Sequence, residues 1–363
     1  MTASPSVSDL LNAANWEYLP TGTPSANLTP FMVNGHQLTM TNIADGFSAT
    51  VWEDTATHQL VVGFEGTNIS DLAAGGTSST FASNELKADV SLLAGQIPQA
   101  LVDAYNFITQ TVEPDAAQQG YSTSSIFVTG HSLGADEAEY VAERTGLGGI
   151  GFEGSGISAS VPAVGNGSNF VSVVTYGDSF ANYSSDIDAE QPFAPAFVPN
   201  GGALPHYGEV VMIGNPADEA VLQAGAAQAA ISGPLATLAD YAGDLVEFHL
   251  PETQAYYLGV TLNQTDAEEM DIGVKSGPGV WNVANDSIGQ FLSAAEAKSV
   301  SGNQALTGSS TDASLSDPQT NSAPHASVDS GIVAADFGAS EPLLDDALNF
   351  LEESIQNAMT VSS

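Results

Sequence analysis

Cysteine is absent from the 363 residues, and lysine and arginine together number only four. Without cysteine there are no disulfides, no thiol catalysis and no thiolate-bound metal, and the chain can work in any redox compartment. The four cations, Lys87, Arg144, Lys275 and Lys298, are scattered along the sequence. No basic patch is therefore available to neutralise phosphates, which argues against nucleic acid as a partner and disfavours anionic membrane surfaces. No uncharged apolar run reaches the roughly 18 residues of a transmembrane helix. The opening MTASPSVSDLLNAANW lacks the basic and apolar segments of a cleaved secretory signal, so none is expected in this numbering. Internal repeats are absent too, including any Gly-Asp nonapeptide array.

What the chain has in excess is acid: 43 Asp and Glu give a net charge of −39. Such an excess reads as a solvated, self-repelling surface of the kind found on secreted or salt-exposed proteins. With 43% hydrophobic residues the chain is rich enough to bury a sizeable core, in one large domain or two modest ones.

Along the chain, residues 9–18 read as a short amphipathic helix. Residues 47–52 and 59–64 alternate like a hairpin that runs directly into Glu65-Gly66-Thr67. A Gly/Ser/Thr-rich stretch follows over 68–84, then a helical pattern over 99–112. The β-rich run 125–129 leads through GHSLGA into a helix-like 136–144, and further strand-like runs occupy 170–176 and 208–213. Strands alternating with helices predict an α/β sheet with crossover connections. An Ala-rich stretch over 218–248 reads as two helices split at Gly233-Pro234. Residues 1–300 are read as one α/β domain and 301–363 as a Ser/Asp-rich tail, flexible by composition, that ends in an amphipathic helix over 342–359.

The chemistry-bearing element is VTGHSLGA, with Ser132 between Gly130 and Gly134. A sharp strand-to-helix turn that lifts a serine outward needs minimal side chains two residues on either side of it, and the flanking strand and helix patterns supply the context. The following helix N-terminus favours negative charge developing near Ser132. Serine becomes a good nucleophile only with a base, and the base needs an acid to fix its tautomer. His206, His249 and His325 lie downstream. His325 sits in the tail, where ordering a base costs conformational entropy. His206 precedes a core strand and reads as a loop histidine satisfied by backbone, whereas His249 lies on a short connection ahead of Pro251, which favours it. For the acid, Asp178 directly follows the strand run 170–176, at an end that faces the crevice of an α/β sheet. Asp186 and Asp188 are its competitors. An oxyanion hole needs two aimed N–H donors: the backbone of Leu133 is one, and Thr67, after the strand run 59–64, offers a second through its N–H and a further contact through its hydroxyl.

These residues resemble the lipase class 3 group of α/β-hydrolases and related secreted bacterial lipases and phospholipases over roughly residues 40–260. VVGFEGTN resembles the strand and oxyanion element usually seen as VVAFRGT, and IFVTGHSLGA resembles VTGHSLGG. GIGFEGSGI, VVTYGDSF and HYGEVVMI resemble the three strands that follow. The resemblance implies an α/β-hydrolase fold with a mostly parallel central sheet flanked by helices, and a lid or cap insertion is placed between Asp178 and His249. It also implies ester hydrolysis with Ser132, Asp178 and His249 as triad and Thr67 and Leu133 at the oxyanion hole. Two positions depart: Glu65 replaces the usual Arg and places a carboxylate near the site, and Ala135 replaces the second Gly. The expected function is a serine lipase or esterase on a lipid-like carboxylic ester, working at a lipid–water interface. Phospholipase A1 and polyester depolymerase are alternatives, and a non-catalytic hydrolase-like binding protein is the alternative of another class. No cofactor is required by this chemistry; Asp186, Asp188 and Glu190 offer oxygen ligands of the kind Ca²⁺ takes. Export with the tail as an uncleaved address is the expected localisation, against the cytoplasm of a salt-adapted organism.

Overall fold

The computed structural model of the chain describes residues 4–68, 71, 76–184, 203–220, 222, 245–264 and 280–300. Helix α1 (Val7–Trp16) opens it, capped by Ser6, whose hydroxyl oxygen accepts from Asp9 N. Short strands β1 (Leu28–Pro30), β2 (Met32–Val33), β3 (His36–Gln37) and β4 (Thr39–Asn42) lead into a long hairpin of β5 (Phe47–Asp54) and β6 (Gln59–Phe64). Helix α2 (Gly76–Leu93) is followed by α3 (Gln99–Phe107), which continues through a π-helical turn (Ile108–Val112) into α4 (Glu113–Gln118). After these come β7 (Ile126–His131), α5 (Leu133–Thr145), β8 (Gly148–Phe152), β9 (Phe170–Thr175), β10 (Glu209–Ile213), α6 (Pro251–Leu258) and α7 (Ile288–Val300).

The main sheet runs β1-β5-β6-β7-β8-β9-β10, with β4 also paired to β5. Strands β1, β4 and β6 lie antiparallel to β5, and from β6 to β10 every pairing is parallel. Both faces of these parallel strands are covered, so they read as continuous apolar runs rather than alternations. Leu60, Val62, Phe64 and Val128 face one core with Leu101, Phe107 and Val141 of the helices. Val61, Phe127, Ile150 and Val173 face the other with Leu10 and Leu11 of α1, Leu258 of α6 and Phe291 of α7. This mostly parallel sheet between helical layers is an α/β-hydrolase fold.

Register sets where the site forms. Phe64 pairs with Gly130, His131 with Phe152, and Phe152 with Val173. The carboxyl ends of β6, β7, β8 and β9 therefore emerge side by side, the edge where open α/β sheets carry their crevice. Helix α1 is tied in from far away in sequence. Asn12 bonds Thr261 O at 3.1 Å and accepts from Asn263 N at 2.8 Å, and the N–H groups of Val7 and Ser8 reach the carbonyls of Asp286 and Ala284 at 2.9 Å.

Two expectations need correction. The stretch read only as Gly/Ser/Thr-rich contains the first half of α2, whose buried side includes Phe81, Glu85, Ala88, Asp89 and Leu92; two carboxylates on that face interrupt the apolar period. The acidic excess is likewise not all on the surface, since Asp9, Glu17, Asp54, Glu85, Asp89, Asp136, Glu137, Glu139, Glu153 and Asp178 are buried. The tail 301–363 with its helix 342–359, the cluster Asp186, Asp188 and Glu190, His325, and most of the lid and Ala-rich segments lie outside the described residues.

Candidate active site

Ser132 stands between β7 and α5 with φ 58° and ψ −127°, a backbone conformation that costs a non-glycine residue of order 1–3 kcal/mol and is found at functional turns. Its N–H donates to Phe152 O at 2.9 Å, which pins the turn to β8. The flanking glycines are required by close packing. A Cβ on Gly130 would overlap the Gly134 carbonyl, and one on Gly134 would overlap the carbonyl of Phe64. The loop after β6 presses on the same turn: a Cβ on Gly66 would overlap the His131 carbonyl and stand 3.2 Å from Ser132 Cβ.

The structure brings Ser132, His249 and Asp178 together. Ser132 Oγ lies 2.8 Å from His249 Nε2, and His249 Nδ1 lies 2.8 Å from Asp178 Oδ2. All three are buried. His249 ends a π-helical turn (Leu245–His249), and Pro251 opens α6 behind it. Asp178 follows β9 by three residues and accepts Phe180 N at 2.9 Å on its other oxygen. Burial by itself raises an aspartate, but the facing His249, with hydrogen bonds from His249, Glu153 and Phe180 N, brings Asp178 below its ordinary value. A hydroxyl, an imidazole and an ionised carboxyl in this order can move a proton from the serine while the carboxylate holds the tautomer.

His206 is elsewhere: its Nε2 bonds the Gly154 carbonyl at 3.0 Å. Leu133 opens α5, so its N–H has no carbonyl in a preceding helical turn. Thr67 lies in the loop after β6, but its hydroxyl donates to Asp89 Oδ2 at 2.6 Å. Since a hydroxyl has one proton to donate, it is spent on that carboxyl, and the backbone is what Thr67 offers the site. Burial pushes Asp89 up to about 7, against the Thr67 bond and the nearby His249, which lower it. Glu65 is pushed up to about 8, mainly by burial. It therefore brings less negative charge to the site at neutral pH than the sequence suggests.

Three further residues, His131, Tyr18 and Glu153, join the site that sequence reasoning left unmarked. His131, the variable position of the glycine-serine motif, approaches the His249 carbonyl with Nε2 at 2.5 Å, and Tyr18 Oη lies 2.7 Å from its Nδ1. A carbonyl only accepts, so the proton is on Nε2 and the Tyr18 hydroxyl donates to Nδ1. Burial lowers His131 to about 3, which keeps it neutral. Glu153, at the end of β8, is fully buried with φ 59°. It accepts Thr175 N at 3.0 Å and the Thr175 hydroxyl at 2.5 Å, and it shares a hydrogen bond with Asp178. Among the described residues no group of three or more His, Asp or Glu is arranged to hold a metal ion, and no helix is long and apolar enough to cross a membrane.

No protein-family description matches this sequence, and no curated protein does. Solved structures give weak similarities. One is an extracellular lipase from Serratia marcescens at 16% identity and TM-score 0.30, over 44% of this chain and 29% of that one. Another is a triacylglycerol lipase from Penicillium expansum at 14% and 0.37, over 56% and 78%. A third is lipase II from Rhizopus niveus at 14% and 0.35, over 56% and 78%. The chain thus spans under a third of the Serratia protein.

Proposed function

We propose that this protein is a serine carboxylic-ester hydrolase acting on neutral, lipid-like esters. The observation that carries the reading is the unbroken hydrogen-bond chain Ser132–His249–Asp178, with both links at 2.8 Å, on a turn whose strained backbone presents the serine. As Ser132 Oγ attacks the ester carbonyl carbon, its proton passes to His249 Nε2. Asp178 keeps the Nδ1 proton in place and stabilises the imidazolium that forms. The carbonyl oxygen, now negative, is met by the N–H of Leu133 at the positive end of α5, with the N–H of Thr67 as second donor. His249 then gives its proton to the departing alkoxide. Water, deprotonated by the same imidazole, releases the acid from Ser132. Neutral acylglycerols and short-chain esters suit an acid-rich protein with four cations better than anionic phospholipids do.

Hydrolysis of p-nitrophenyl esters of graded acyl length, by wild type and Ser132→Ala, tests this, with fluorophosphonate labelling run in parallel. Wild type turns over and labels. The variant keeps its fold, takes no label and loses activity by several orders of magnitude, on the order of 10⁴-fold or more. Substantial residual turnover in the variant refutes the assignment of Ser132.

A further inference from the structure

The carboxyl next to the Asp178–His249 pair has no role in the hydrolysis just described. Glu153 leaves β8 with φ 59°, a left-handed backbone that a side chain this large seldom adopts. Its side chain is fully buried. Thr175 holds both of its oxygens, the backbone N–H on Oε2 and the hydroxyl on Oε1. A hydrogen bond then joins it to Asp178. Two carboxyl groups in such contact share one proton, because two adjacent negative charges in a buried site repel strongly. Each carboxyl accepts two donors, but those of Glu153 are the neutral groups of Thr175, whereas Asp178 faces His249, the ring that becomes positive in the reaction, so the charge belongs on Asp178 and the proton on Glu153.

We propose that Glu153 is a positioning residue of the ester-hydrolysing site: a neutral carboxylic acid whose O–H donates to Asp178 and fixes that carboxylate, ionised, against His249. Burial first, then the charge of Asp178, push Glu153 well above the ordinary carboxyl range, whereas Asp178 is held below it. The titratable group against Glu153 is Asp178; behind Asp178 stand His249, ahead of α6, and His131, at the end of β7. As pH rises far enough to ionise Glu153, the donor is lost and a second negative charge faces Asp178. Activity therefore falls on the alkaline side for a reason that lies outside Ser132 and His249.

The inference rests on the ester-hydrolase reading, and one arm of its test does not need turnover. Infrared difference spectra of wild type against Glu153→Gln at pH 7 are expected to show the loss of a protonated-carboxyl band; loss of a carboxylate band instead overturns the proposal, whatever the enzymology. In the second arm, Glu153→Gln keeps a neutral N–H donor and retains kcat within about threefold at pH 6, with its alkaline decline moved at least about tenfold lower in proton concentration. Glu153→Met keeps the volume without a donor and loses about 10- to 100-fold in kcat with KM little changed, the size of one hydrogen bond to a charged group. Superimposable pH profiles for wild type and Glu153→Gln, with circular dichroism showing both folded, overturn it as well. A wild type inert toward every ester tested refutes the hydrolase reading instead, and the infrared band still decides where the proton sits.

Discussion

Asp89 ties the interior of α2 to the site, and its replacement by asparagine has a calculable signature. In the native protein burial raises its ionisation from 3.8 to about 7, while the unfolded chain titrates near the ordinary value. Between those two pH values the native state holds a proton that the unfolded state has released. Stability is therefore full below about pH 4 and is lost progressively as pH rises toward 7. At about 1.4 kcal/mol per tenfold change, the interval amounts to on the order of 4 kcal/mol. Asparagine does not titrate, so Asp89→Asn removes this slope. Any fixed cost of seating the amide, at a place where Asp89 Oδ1 has no hydrogen-bond partner among the described residues, is the same at every pH. Glu17, Glu65, Glu85, Asp136, Glu137 and Glu153, all raised mainly by burial, titrate in both proteins and cancel in the difference. Urea unfolding at half-unit steps from pH 4 to 8 is the assay. The gap between variant and wild type should move in the variant's favour by several kcal/mol between pH 4 and 7 and then level off. Parallel curves over that range refute the claim that the native state keeps Asp89 protonated.

Three other outcomes follow from the site geometry. Ser132→Gly relieves the backbone at φ 58° and should raise stability by about 1–2 kcal/mol while abolishing hydrolysis; a calorimetric Tm at or below that of wild type contradicts the strain. Thr67→Val should cost less than about tenfold in kcat but destabilise by roughly 1.5–3 kcal/mol at pH 8, where Asp89 is ionised, and by less at pH 5. A loss of about 10²-fold in kcat with unchanged stability would put the hydroxyl on the oxyanion instead. Tyr18→Phe removes the donor to His131 and should lower kcat about tenfold at constant KM, read from steady-state kinetics; unchanged kcat removes Tyr18 from the site.

The sheet strands and the serine turn were legible because their signals are local. Continuous apolar runs mark strands covered on both faces, and Gly130 and Gly134 mark a turn that admits no side chain. His249 and Asp178 could be ranked because each follows or precedes a recognisable element. Helix α2 escaped notice because hydrophobic periodicity counts Glu85 and Asp89 as outward-facing, and both are inside. The same bias hid Glu153, one acid among 43; the place of Thr67 after the strand run 59–64 suggests a free hydroxyl, and buried Asp89 takes it. His131 carries no pattern of its own; its function is visible only when the His249 backbone, distant in sequence, comes into reach of its ring.

The stapling of α1 bears on how the protein is made. Val7, Leu10 and Leu11 complete a core whose other members include residues of α6 and α7, and Asn12 finds its carbonyl partner 249 positions away. At ribosomal rates of roughly 5–20 residues per second, the first helix waits on the order of 15–50 s for those partners to emerge. During that interval its apolar stripe and the faces of β6, β7, β8 and β9 that share its core go without the cover of α6 and α7. Long-range closure of this kind slows folding and lengthens exposure to aggregation. A nascent chain stalled before residue 260 should accordingly be soluble only in the company of a chaperone that binds apolar segments, and the site should appear as one of the last features of the fold.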